Sequence, residues 1–451
     1  MKRVTSRAKI SIIGISGLLV AGIAVPSAFG TTEDPNGPSA DNDRRRGAEL
    51  SVTAGGSESA AISRPSDRRG PNTLKTKSVT LTSYDAEDGR AVLTRKTRGG
   101  GAGAVDVREG DVIASPPTKS APAGALVKVK DVASSDDGKT EIRTSRANLT
   151  EVFGGAKADG KVPVSPSAWK VDPLVKGLDV ERGAAKAGRD ANGDNLHLDF
   201  DTPLPDGDES DQVPPTQVGG YLDFSPKVDF SYDGHGSSDP AEATASIGVG
   251  GDYKAGWSVK GTVAEPDLSR RIPVAEVKAH PVIMVGPVPV VVTVKLTLVL
   301  KVQANGRIQV DVQKDVNGTV KVGTRYAKDS GWESDNQADG TTLPGGRADV
   351  SGEGELRTAL GPEADVSLYD TVGVTAFLGP YLRATAQFSQ QTPGGADGRG
   401  AWQLHGGLTL ESSLYAQLPF VIIGNRPSKR IDFPPITREW FITKGEFPAA
   451  S

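Results

Sequence analysis

The chain has 451 residues, a net charge of −4 and a pI near 5.8, so charge gives no argument for binding nucleic acid or an anionic membrane surface. It has no cysteine, which excludes disulfides, thiolate nucleophiles and Cys-ligated zinc or iron–sulfur centres. Glycine (55) and proline (31) are abundant while apolar residues make 36%, so part of the chain packs no core of its own.

Residues 1–30 read as a secretory signal peptide. Lys2, Arg3, Arg7 and Lys9 precede an uncharged apolar run from Ile10 to Val25, and Ala28 and Gly30 offer small residues for cleavage before Thr31. The expected location is outside the cell, free or at the cell wall, with no transmembrane helix after signal cleavage. Export without disulfides fits a bacterial exporter better than a eukaryotic one. Residues 31–72 are Ser, Gly, Pro and charge, and read as a disordered linker.

Residues 73–155 read as a small β domain. "SVTLTSYDAEDGRAVLTR" alternates on both sides of a turn ending at Gly89, and "GALVKVKDVASSDDGKTEIRTS" repeats the design around Asp137-Gly138. "EGD" marks another turn, and "LTEVF" closes the unit as a short helix or strand. The stretch "EGDVIASPPTKSAPAGALVKVKDV" followed by "TSRANLTEVF" resembles a β module found near the N-terminus of uncharacterised secreted β-rich bacterial proteins. The resemblance covers about residues 74–155. It implies β organisation and secretion, and carries no activity and no site residues.

Residues 156–192 read as a second linker, with "DPLVKGLDVERGAAKA" able to hold a short helix. From 193 to 445 the period is two throughout. The fold class expected is all-β: a small N-terminal β domain followed by a larger antiparallel β-sandwich or elongated sheet with a long hairpin. The run "GPVPVVVTVKLTLVLKV", residues 286–302, is the most apolar of the mature chain. Val290, Val292, Val294, Leu296, Leu298, Leu300 and Val302 share one face, which is strand periodicity. A spanning helix would bury Lys295 and Lys301 at about 2.5–3.5 kcal/mol each. Asn305-Gly306 then suggests a two-residue turn, making 290–326 a hairpin with one face buried and one wet.

Sites are sparse. Asp190, Asn192, Asp194 and Asp201 in "DANGDNLHLDFD" have calcium-loop spacing, but position six is Asn195 and position twelve lacks Glu. Calcium is therefore the one cofactor the sequence raises. Trp257, Trp332, Trp402 and Trp440 could stack on sugars, and Trp332, set among polar residues and glycine, is the candidate ligand contact. The four histidines stand far apart, no G-x-S-x-G occurs, and no catalytic residue is assigned. The expectation is a secreted, non-enzymatic binding or wall-associated structural protein, with cell-wall or extracellular polysaccharide as partner and no nucleic acid. Two alternatives stay open: an extracellular polysaccharide hydrolase or lyase, and a membrane-active protein using the 290–326 hairpin.

Overall fold

Strands form along the period-two stretches of the sequence, and further strands form in both expected linkers. The computed structural model describes residues 48–56, 58–65, 72–96, 102–136, 138–182, 195–203, 216–235, 242–264, 267–370, 372–389, 399–416 and 430–448. The signal segment and most of the first linker lie outside them.

The N-terminal part comprises β1 (Glu49–Leu50), β2 (Val52–Ala54), β3 (Ala60–Arg64), β4 (Thr73–Asp85), β5 (Arg90–Lys96), β6 (Ala102–Gly103), β7 (Val112–Ser115), β8 (Ala125–Asp136) and β9 (Lys139–Arg146). Six of them close a ring. β3 pairs with β4, β4 with β5, β5 with β9, β9 with β8, β8 with β7, and β7 returns to β3, every pair antiparallel. The short β6 adds to β5. Closure removes free edges from this small barrel. Leu81, Leu93, Ile113, Val127 and Ile142 fill it. Arg64 donates through Nε and Nη2 to both oxygens of the buried Asp111, at 2.8 and 2.7 Å, so that carboxylate is paired bidentately. The helix α1 (Leu149–Phe153) follows, opened by a capping box between Asn148 and Glu151.

One expected boundary is corrected here. The first linker does not run to residue 72: β1 and β2 pair with the large sheet, and β3 is a barrel stave with Ala60, Ala61, Ile62 and Ser63 buried. Small alanines gave that segment too little hydrophobicity to stand out, yet they fit a tightly curved barrel wall.

The rest of the chain supplies β10 (Lys157–Pro163), β11 (Lys170–Pro173), β12 (Asp179–Arg182), β13 (Leu196–Pro203), β14 (Gln217–Asp233), β15 (Thr244–Val263), β16 (Leu268–Ala279) and β17 (Val282–Val285). Then come β18 (Val288–Ala327), β19 (Gly331–Ser334), β20 (Gln337–Thr342), β21 (Arg347–Leu368), β22 (Val372–Ser389), β23 (Arg399–Ala416) and β24 (Ile431–Pro448). Pairing in this sheet is antiparallel except for β1 beside β10, which is parallel. The second linker is also corrected: its described part carries β10, β11, β12 and a buried Trp169, and the helix expected near residue 180 is strand as far as residue 182.

β18 is the spine. On one edge it pairs with β16 through Val294–Ala304 and then with β15 through Ile308–Tyr326. On the other it pairs with β21 through Val292–Gln313, then with β20 and β19. The sheet thereby folds over itself into two facing layers. One holds β12, β13, β14, β15 and the C-terminal half of β18. The other holds β11, β16, the N-terminal half of β18, and β21 to β24. Trp257 on β15 donates across the layers from Nε1 to Thr358 Oγ1 on β21 at 3.0 Å.

The expected turn at Asn305-Gly306 is absent. The strand runs through it, with Asn305 opposite Glu355 and Gly306 opposite Gly354. Gly306 still adopts φ +90°, and a Cβ there would overlap the Glu353 carbonyl, so the dipeptide uses its left-handed freedom inside the ladder. The long hairpins lie elsewhere, β14 with β15 and β22 with β23 among them.

The wet face expected for 290–302 holds only in part. Val288 to Val294 are buried on both faces. The barrel covers part of the second face, where a Cβ on Gly124 would sit 2.6 Å from Val291, and Tyr369, just beyond β21, covers more of it by donating its hydroxyl to the Pro289 carbonyl at 2.5 Å. Lys295 and Lys301, farther along, reach solvent as expected. No helix among the described residues is long and apolar enough to cross a membrane.

Candidate functional site

Between the two layers of the large sheet lies an apolar chamber. Leu198 on β13, Phe224 on β14 and Tyr253 on β15 face Leu298 on β18, Val366 on β21 and Leu378 on β22 across it. Its volume is about 60 Å³. A cavity of that size has room for water, but bound water needs two to four polar partners. The lining side chains are aliphatic, proline or aromatic. Among the described residues, the only lining side chain with a polar tip is Tyr253, whose hydroxyl donates to the Asp339 carbonyl at 3.2 Å. Burial pushes that phenol up to about 12, so it stays neutral. The chamber is therefore dry. Unfilled space in a core costs roughly 24 cal/mol per Å³, on the order of 1 kcal/mol here.

Local sequence keeps the chamber open. On β21, Leu360, Pro362, Ala364 and Val366 point inward, and on β22 Ala376, Leu378 and Pro380 do. Small and ring-limited side chains at alternate positions leave the layers incompletely interdigitated. Gly361 and Gly379 meet where these strands face each other. A Cβ on Gly361 would overlap the Leu378 carbonyl, so the backbones approach closely behind the chamber wall.

The positions singled out in the sequence fall elsewhere. Asp190, Asn192 and Asp194 lie outside the described residues; Asp201 is exposed on β13 opposite Gly219. Among the described residues no three His, Asp or Glu side chains gather as a metal site. Trp332 on β19 is half-buried, its ring edge-on to Tyr326 at 5.3 Å, and packs at the rim of the core. Trp257 is buried in the core.

Of the four histidines, His197 and His405 lie on strands, His280 in the connection from β16 to β17, and His235 in an exposed turn after β14. His197 is half-buried with Nδ1 2.6 Å from Asp223. His405 packs edge-on against Phe441 at 5.7 Å. His280 meets Thr293 at 3.2 Å, near the end of the large sheet that the barrel covers. Lys295 pairs there with Asp370 at 3.1 Å, and Tyr415 donates to Asp365, whose carboxyl burial raises. The chamber itself was missed, because its signal is distributed: one inward residue in two on seven strands.

Comparison of the chain with protein-family models, with curated proteins and with solved structures finds no match.

Proposed function

We propose that the protein is a secreted, non-enzymatic binding protein that takes the end of an apolar chain, of the fatty acyl or isoprenoid kind, between the layers of its large sheet, the layers parting to admit it because about 60 Å³ holds only a few carbon atoms. The observation that carries this reading is the dry chamber walled by hydrocarbon on both sides. An apolar ligand there would recover contacts the empty core lacks, and nothing polar would be left unpaired by its entry. The signal-like N-terminus supports an extracellular setting. The membrane-hairpin alternative is less well supported, since the apolar face of 290–302 is spent on the interior of the protein.

The test uses the chain from Thr31 onward with a fluorescent fatty acid. Saturable fluorescence enhancement is expected, competed by unlabelled palmitate. Filling the space with Ala364→Leu and Ala376→Leu should abolish the signal while preserving the far-UV spectrum. Enhancement that survives both substitutions would place the probe elsewhere and refute the chamber as its site.

A further inference from the structure

A second site lies at the end of the large sheet away from the barrel. A groove of about 690 Å³ runs between the connection from β20 to β21 and the last strand, β24. We infer that this groove binds an acidic saccharide chain.

Three kinds of group converge there. The first is aromatic. Trp440 is held in the wall by donating Nε1 to Thr342 Oγ1 at 2.6 Å, while Phe441, next along β24, turns its ring to the other face against His405. Trp402 forms the floor, its ring over Gly445, where a Cβ would lie 2.6 Å from the indole. Flat apolar rings of this kind stack on the C–H faces of sugars.

The second kind is uncharged and polar. β24 pairs only with β23 among the described residues, so its outer edge leaves backbone N–H and C=O groups for hydroxyls. Thr341 and Thr443 add side-chain hydroxyls to the lining.

The third is cationic. Among the described residues, the only charged side chains lining the groove are Lys314 and Lys444. Lys314 donates to the Gly345 carbonyl at 2.5 Å, and neither lysine makes an ion pair among the described residues. The neighbouring carboxylates Glu439 and Glu446 are taken by Arg383 and Arg399. Two ammonium groups without an opposing charge, beside stacking rings, suit a sugar chain bearing carboxylate or phosphodiester, and a neutral glycan would leave both charges unbalanced. This site is separate from the chamber.

The experiment measures retention of the chain from Thr31 onward on immobilised polygalacturonate, glucosylated poly(glycerol phosphate), dextran and single-stranded DNA. Binding is expected on one of the first two, identifying the acid as carboxylate or phosphodiester, and it should weaken between 50 and 200 mM salt. Trp440→Ala and the pair Lys314→Ala and Lys444→Ala should each weaken it about tenfold. Fatty-acid binding by these variants reports that they remain folded. Equal retention on dextran or DNA, no retention on either acidic glycan, or retention unchanged in the variants would overturn the inference.

Discussion

Gly361 and His280 show how single side chains set what this molecule tolerates. The space behind Gly361 belongs to the Leu378 carbonyl, so Gly361→Ala forces two backbones apart. A loss of about 2–3 kcal/mol is expected, read as a lower urea midpoint with unchanged slope. Burial lowers the His280 imidazole below its ordinary 6.5, with Asp370 opposing and Lys295 adding to the effect. The unfolded chain therefore takes up the proton more readily. Stability is fully present above about pH 6.5 and is lost as pH falls through the lower folded value. His280→Gln should remove that component. Urea midpoints at pH 7.5 and 5.0 should diverge less in the variant than in the parent; equal divergence would exonerate His280. The acid limb at lower pH belongs to Glu363 and Glu439, which hydrogen bonds from Arg271 and Arg383 hold below the usual carboxylate range.

At the scale of elements, β18 carries the greatest sequence signal and the clearest misreading. Its alternation was legible because a strand with one face in a core must repeat every second residue. Its continuity was not. Asn-Gly is the favoured hairpin dipeptide, and nothing local distinguishes a turn from a glycine facing Gly354 across a ladder. Burial of the second face was equally hidden. Val291 and Thr293 look like wet positions by parity, and they are covered by parts distant in sequence: the barrel at Gly124 and the segment at Tyr369 over Val291, and His280 over Thr293. The difference is measurable. Val291→Asn should cost about 3 kcal/mol, because it leaves a buried amide without partners. Lys301→Met, on the part of the strand that stays wet, should cost under about 1 kcal/mol, chiefly through contact with the Phe377 ring. Thermal melts of the two variants separate these cases.

For the whole molecule, the all-β class and the division into a small and a large β unit could be read from turn residues and alternation. The extent of the linkers could not. The residues of β1, β2, β3 and β10 to β12 are short, small or charged, and become strands only because neighbouring strands offer them a ladder. The chamber escaped for a related reason: Leu198, Val366 and Leu378 look like any core residues until two layers fail to close on each other. If that space is a ligand site, ligand should stabilise the whole two-layer sheet. At one hundred times its dissociation constant, about 2.7 kcal/mol is expected. Calorimetry with and without palmitate should show a rise in Tm of several degrees, absent in the filled Ala364→Leu, Ala376→Leu variant.

The pairing of β2 with β17 has a consequence for time. Val52 finds its place beside Val285, 233 positions later (285 − 52). A chain made from its N-terminus cannot complete that ladder until β17 has appeared, nor finish the spine until β21 follows. Closure of loops that long precedes any reward from the contacts they bring, and sheets dominated by distant pairing fold in milliseconds to seconds. β2, although early in the described chain, is thus among the last strands to be ordered. During that interval, the apolar face of β18 is bare, and refolding from urea should slow and lose yield as protein concentration rises.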